Sequence, residues 1–205
     1  MIDKIITSGT FSLDGGTWDV DNNVWIVGSA SEVIVVDAAH DAAAIAQRVG
    51  GREVRAIVCT HAHDDHIDAA AELAQRTGAP VLLHPADRVL WEMVYADLPY
   101  VPLQDGQVLS AGGVELTVLH TPGHSPGAVC LYGADICTVF SGDTLFQGGP
   151  GATGRSFSSF DTIIESIKGR LLTLPPETVV HTGHGPSTVI GQEAGHLEEW
   201  LARGH

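Results

Sequence analysis

The chain has little charge and even less of it is positive. Charged residues make up 17% of its 205 positions, against roughly a quarter in an average globular chain. Ten Lys and Arg face 25 Asp and Glu, a formal net charge of −15, and only Lys4 and Lys168 carry ammonium groups. Such a surface repels polyanions, so nucleic acid is not expected as a partner, and the acidity reads as a solvated, soluble exterior. No apolar run approaches the roughly 18 residues of a membrane span. The opening MIDKIITSGT has no basic segment followed by a long apolar stretch, so neither a membrane partner nor a secretion signal is expected and the default address is cytoplasmic. Cysteine is scarce too: Cys59, Cys130 and Cys137 are odd in number, have no C-x-x-C spacing and lie in or beside apolar runs. They read as buried free thiols of a reducing compartment.

What the chain does have is core-forming material, with 44% hydrophobic residues over a length suited to one domain spanning residues 1–205. Short β-branched runs alternate with Ala-rich or amphipathic stretches, which predicts an α/β fold. Strands are expected at 24–28, 32–37, 54–60, 81–83, 114–119, 128–131, 136–140 and 178–181. Helices are expected at 41–48, 67–76, 85–95, 160–172 and 192–202.

The sharpest motif is T-H-A-H-D-D-H, in which His61, His63, Asp65 and His66 crowd three imidazoles and a carboxylate into six positions. Histidine is the commonest transition-metal ligand, and two of them two residues apart on an extended turn can face the same side. Three more candidate ligands follow apolar strands in the same way: His124 in H-S-P-G, Asp143 in S-G-D-T and His184 in G-H-G-P. In α/β proteins the carboxyl ends of strands gather at one rim, where ligands collect. Seven donors, five His and two Asp, exceed the needs of one tetrahedral ion but suit two metals sharing a carboxylate. Mixed imidazole and carboxylate donors favour zinc, and iron or manganese also fit.

The ordered set H-x-H-x-D-H, T-P-G-H-S-P-G, S-G-D-T and G-H-G-P, preceded by V-I-V-V-D-A, resembles the metallo-β-lactamase superfamily and, within it, the glyoxalase II-like hydrolases. The resemblance implies an αββα sandwich in a single domain. It places His61, His63 and His124 on a first metal and Asp65, His66 and His184 on a second, with Asp143 bridging. Asp37 matches the family's early Asp, which supports the metals; with Asp65 and Asp143 it completes the implied catalytic carboxylates. A metal-bridging hydroxide would then attack a small-molecule substrate's carbonyl. A thiol of pKa near 8.5 leaves without protonation, whereas an amide nitrogen needs a proton donor. No lysine lies in a ligand motif and there is no obvious acid beyond Asp64 and metal-bound water, so a thioester is preferred to a β-lactam.

Two departures bear on the substrate. The sequence ends about twenty residues after His184, without the family's helical extension that grips glutathione. Where relatives read G-R-T-D, residues 147–160 read QGGPGATGRSFSSF. Glutathione, mycothiol and coenzyme A thioesters are therefore all carried forward, and Arg155 is the candidate substrate-binding cation. Trp91, Tyr95, Tyr100 and Phe146 could line an apolar pocket. His84, His120 and His181 read as packed imidazoles, and His40, His196 and His205 as surface residues. A mononuclear iron persulfide dioxygenase and a lactone hydrolase are the alternative activities. The oligomeric state is not legible in these residues.

Overall fold

The computed structural model describes residues 1–204, so His205 lies outside the described residues. Strands β1 (Ile2–Leu13), β2 (Gly16–Gly28), β3 (Glu32–Val36), β4 (Glu53–Val58), β5 (Val81–Leu83) and β6 (Val101–Pro102) form one sheet in chain order. Between them lie helices α1 (Ala42–Val49), α2 (Asp64–Ile67), α3 (Ala70–Thr77) and α4 (Arg88–Val94). The second sheet contains β7 (Val108–Ala111), β8 (Val114–His120), β9 (Val129–Gly133), β10 (Thr138–Gly142), β13 (Val179–Thr182) and β14 (Thr188–Val189), in the order β14-β13-β10-β9-β8-β7. A small hairpin of β11 (Leu145–Phe146) and β12 (Gly149–Pro150) precedes α5 (Phe160–Ser166). Helices α6 (Ile190–Glu193) and α7 (Leu197–Arg203) close the described chain.

The alternation along the strands builds the layers. Val24, Ile26, Val33 and Val35 point to one face, where they pack with Ile45 of α1, Leu73 of α3 and Trp91 of α4. Their neighbours Trp25, Val27, Ile34 and Val36 point to the other and meet Leu116, Val118, Leu131 and Phe140 of the second sheet. On that sheet's far face, Cys130, Val139 and Val180 pack against Ile163, Ile167 and Trp200. A period of two on a strand covered on both sides gives this result: every residue is apolar, and alternate ones serve different layers. The architecture is an αββα sandwich of the α/β class, as expected.

Several elements differ from their expected bounds. The helix expected at 67–76 is two pieces, because Tyr95 Oη donates to the Ile67 and Asp68 carbonyls at 2.6 and 2.9 Å and so ends α2. The stretch 85–95 starts as a 3₁₀ turn at Pro85–Asp87, since Pro85 has no N–H to give and His84 Nδ1 accepts from Ala86 N. The helix at 160–172 finishes in a π turn over Ile167–Leu171, and the final helix begins at Ile190 and is interrupted at Ala194–His196. The long hairpin of β1 and β2 was not expected before residue 24; its outer residues are mostly exposed, so it carries a weak apolar pattern.

Candidate metal centre

Each candidate ligand sits just beyond the end of a strand: His61, His63, Asp65 and His66 after β4, His124 after β8, Asp143 after β10 and His184 after β13. The two sheets place these ends at one rim, and all seven side chains meet there. His63 Nδ1 lies 3.0 Å from both His61 Nε2 and His124 Nε2. On the other side, His66 Nε2 is 3.2 Å from His184 Nε2, and Asp65 Oδ2 is 3.3 Å from His184 Nε2 and 3.5 Å from His66 Nε2. Asp143 reaches both sets: its Oδ1 is 3.4 Å from His66 Nε2, and its Oδ2 is 3.4 Å from His184 Nε2 and 3.7 Å from His124 Nε2.

The outward nitrogens show which atoms are free to ligate. His66 Nδ1 donates to Asp37 Oδ2 at 3.0 Å, His124 Nδ1 to the Ala152 carbonyl at 2.8 Å and His184 Nδ1 to the Asp21 carbonyl at 2.8 Å. Thr60 Oγ1 gives its own proton to Asp37 Oδ2 at 2.8 Å and accepts from His61 Nδ1 at 3.1 Å. A ring that donates outward presents a bare lone pair inward. On the side of His61, His63 and His124 the converging nitrogens are thus lone pairs facing lone pairs, an arrangement that asks for a cation between them. Ligand nitrogens about 2.0–2.1 Å from a tetrahedral ion lie about 3.3 Å apart, close to the spacings seen. Asp143 Oδ1 and His63 Nε2 are buried without a hydrogen-bond partner. The donor set therefore fits divalent metal ions.

The two sets carry different charge. Burial, reinforced by the neighbouring rings, pushes His61 well below the usual histidine range and His63 to about 3. Burial also opposes charge on His184, but Asp143 and Asp65 outweigh it and hold that ring up at about 10. His66 is raised in the same way by Asp65, Asp143 and Asp37 against its burial. Asp65, despite burial, is held down at about 2 by His66 and His184.

Asp37 sits beside this cluster and does not face the cavity. It adopts a φ of 57°, in the left-handed region that Asp tolerates better than most residues, and accepts from Thr60 N at 2.7 Å as well as from Thr60 Oγ1 and His66. Its contacts orient His61 and His66, a supporting place in keeping with the resemblance; as a catalytic carboxylate that would touch substrate it is misplaced. Close packing also shapes the floor: a Cβ on Gly183 would lie 2.2 Å from Asp143 Oδ1 and 2.7 Å from His66 Cε1.

The mouth is a cavity of roughly 200 Å³ over the ligands, walled by Phe11 and Val20 of the hairpin and by Ala152, Arg155, Ser156 and Ser158. The Arg155 guanidinium stacks over Trp18 at 3.9 Å and lies 5.5 Å from the Phe11 ring. Ser156 N donates to Asp14 Oδ2 at 3.0 Å, tying this loop to the hairpin tip. Trp91, Tyr95 and Tyr100 instead pack in and against the helix-side core; Phe146 is nearer, 6.2 Å from the His184 ring. His84 stacks on His120 at 4.0 Å, and His181 on Trp25 at 4.1 Å, so all three are packed rings. His196 is half exposed, but His40 is not a surface residue: 5% of its side chain is accessible. Cys59 and Cys130 are buried free thiols, whereas Cys137 is partly exposed.

Two residues that shape the site are absent from the expected set. Asp87, fully buried, accepts from Ala62 N at 2.9 Å between two ligands of one loop, and from Ser125 Oγ at 2.7 Å and Gly127 N beside His124. Asn22 Nδ2 donates to Asp65 Oδ2 at 3.0 Å. Asp87 has a legible signal, since H-P-A-D follows an apolar strand just as the ligand motifs do; Asn22 has none.

A sequence profile of the metallo-beta-lactamase superfamily matches residues 17–184. The chain is 35% identical over 188 residues to a probable metallo-hydrolase, YqgX, of Bacillus subtilis, covering 83% of this chain and 88% of that one. It is 30% identical over 192 residues to the hydroxyacylglutathione hydrolase GloC of Haemophilus influenzae, covering 86% of each. Among solved structures, TTHA1623 in a di-iron-bound form matches with a TM-score of 0.77 and 36% identity, covering 85% of this chain and 93% of that one.

Proposed function

The chain belongs to the metallo-β-lactamase superfamily, and from that premise we propose that it is a dinuclear metal-dependent hydrolase that cleaves the thioester of a small thiol. The observation that carries this reading is the reach of Asp143 into both ligand sets, with every other donor in place. His61, His63 and His124 would hold one ion, Asp65, His66 and His184 the other, and Asp143 both. When bound, the ions would supply Lewis acidity toward a carbonyl and an activated water. Zinc suits the donors, and the di-iron form of a relative keeps iron in view.

The chain's own residues favour a leaving group that needs no proton. Among the residues lining the cavity there is no lysine, and Asp64 is turned aside, accepting from Ser12 N at 3.0 and 3.1 Å and from Asp65 N at 3.0 Å. A thiolate departs without an acid; an amine does not. Arg155 is the one permanent cation on the cavity wall and would anchor an anion of the substrate, its plane fixed by Trp18. GloC's hydroxyacylglutathione hydrolase activity agrees with a thioester of this size. A cytoplasmic setting, where small thiols stay reduced, belongs to the same proposal.

The test is elemental analysis of protein purified without oxygen or added metal, followed by an assay panel. Two equivalents of metal and turnover of glutathione, mycothiol or coenzyme A thioesters are expected. One equivalent of iron with oxygen-dependent consumption of persulfide would overturn the reading in favour of a dioxygenase, and turnover of lactones alone would make the chain a lactonase.

A further inference from the structure

We propose that His40 is a positioning residue for Asp65, acting through Asn22, and that it thereby sets how tightly the carboxylate-rich ligand set holds its ion. The proposal rests on the two-ion reading above. Its basis is a chain of four side chains, Asp68, His40, Asn22 and Asp65, drawn from three segments. His40 lies in the loop after β3 at a φ of 60°. Its backbone N–H donates to Asp68 Oδ1 at 2.6 Å, its ring Nδ1 lies 2.9 Å from Asp68 Oδ2, and its Nε2 lies 2.9 Å from Asn22 Oδ1. Asn22, fully buried on β2, spans the remaining gap to Asp65 Oδ2 at 3.0 Å.

The hydrogen-bond roles follow from what each group can do. An ionised carboxylate only accepts, so the Asn22 amide must turn its NH₂ to Asp65 and its oxygen to His40. His40 Nε2 then has to donate, while Nδ1 and the backbone N–H hold the ring against Asp68. In that state His40 locks the Asn22 amide against flipping, and Asn22 locks Asp65 Oδ2, the same oxygen that faces His66 and His184. The ring occupies a slot made for it: a Cβ on Gly9 of β1 would lie 2.2 Å from His40 Nδ1. The three-imidazole set is supported elsewhere: its outward bonds run to Thr60, which leads on to Asp37, and to the Ala152 carbonyl.

The experiment is a zinc titration of the full-length protein against a chromophoric chelator, giving two stepwise constants, with Asp65→Ala identifying the constant of the carboxylate set. His40→Asn keeps a residue that accepts the left-handed backbone and can meet Asp68, but is too short to reach Asn22. It should weaken the carboxylate-set constant by about ten- to a hundredfold, the size typical of lost outer partners, while the other constant stays within about twofold and reports an intact fold. His40→Gln, which can still donate to Asn22, should recover part of the loss. Combining His40→Asn with Asn22→Leu should weaken binding no further than Asn22→Leu alone, because both break one line of contact. An unchanged carboxylate-set constant in His40→Asn, or losses that multiply in the double variant, would overturn the proposal. A wild-type chain that takes up a single zinc would overturn the two-ion reading and this proposal together, whereas two zincs with unaltered variants would overturn this proposal alone. Nitrogen NMR of His40 supplies a second readout: a proton-bearing shift at Nε2 is expected, and a bare Nε2 would contradict the relay.

Discussion

His61 and His63 meet His124 with lone pairs facing one another, whereas His66 and His184 meet Asp65 and Asp143 as a cluster of charges that neutralise each other. In the first set, His61 and His63 are pressed below the ordinary histidine range by burial and by the crowding of neighbouring rings, His63 to about 3. The second is held above it by carboxylates, His184 up to about 10. His61 and His63 thus meet as unprotonated rings, while His66 and His184 hold protons beside their carboxylates. The difference teaches that, on the two-ion reading, an ion at the first set would relieve facing lone pairs, whereas an ion at the second would compete with bound protons.

Asp143 is the residue the two sets share, so its loss should erase the difference between them and have the largest effect. Asp143→Ala should lower turnover by a thousandfold or more, on the order of what removal of a single strong transition-state contact costs elsewhere or above it, and should bring metal content below two equivalents. Undiminished thioester turnover in this variant would sink the dinuclear reading. Asp87 acts on one side only. Its buried carboxylate joins the loop of His61 and His63 to the loop of His124, and Asp87→Ala strands two backbone N–H groups and a hydroxyl. At ~1–3 kcal/mol for each stranded group, denaturant unfolding should show a loss of about 3 kcal/mol or more. The weakened zinc constant should be that of the three-imidazole set; an equal loss in both would mean that the sets are not separately supported.

Ligands and their supports differ sharply in how legible they are in the amino-acid sequence. The seven candidate ligands stand in short motifs after apolar strands, because a metal site draws on His and Asp at strand ends and strand ends are marked by apolar runs and by Gly and Pro. The sandwich is legible for the same reason, through runs such as V-I-V-V-D. The supports are scattered: Asn22 lies in a strand whose polar outer half masks its period, Asp87 needs Ala62 and Gly127 to be brought beside it, and His40 reads as a surface histidine until Gly9 and Asn22 close over it. Their partners are 18–43 residues away along the chain, and contacts at that distance leave no local pattern. The hairpin that supplies Phe11 and Trp18 is hidden likewise, by exposed residues.

Proton competition gives the next largest effect and the clearest way to tell the sets apart. In the metal-free protein, the raised His184 keeps its proton up to about 10 and His66 is raised as well, so between pH 6 and 9 an ion entering the carboxylate set must expel protons. Affinity there should rise with pH, about tenfold per unit for each proton released. His61, well below the histidine range, and His63, at about 3, have no proton to lose over this range, and the three-imidazole constant should rise less steeply. Zinc titrations at three pH values, with proton release followed in weakly buffered solution, check both slopes. Equal slopes would remove the distinction between the sets.

Arg155 separates metal binding from substrate binding, and its effect should be the smallest. The guanidinium stands on the cavity wall, and no metal-ligand candidate is among its aromatic contacts, Trp18 and Phe11. Arg155→Ala should leave both zinc constants unchanged and raise KM for an anionic thioester about tenfold, the loss of one charge-assisted contact, with kcat nearly constant. Trp18→Ala removes only the ring beneath the cation, a contribution of about 0.5–1 kcal/mol at an exposed site, and should raise KM about two- to fivefold. Arg155→Lys keeps the charge but not the flat stacking face. If the ring serves to aim the guanidinium, Trp18→Ala should cost less in the Lys background than in the wild type; an equal cost in both would mean that Trp18 touches substrate itself.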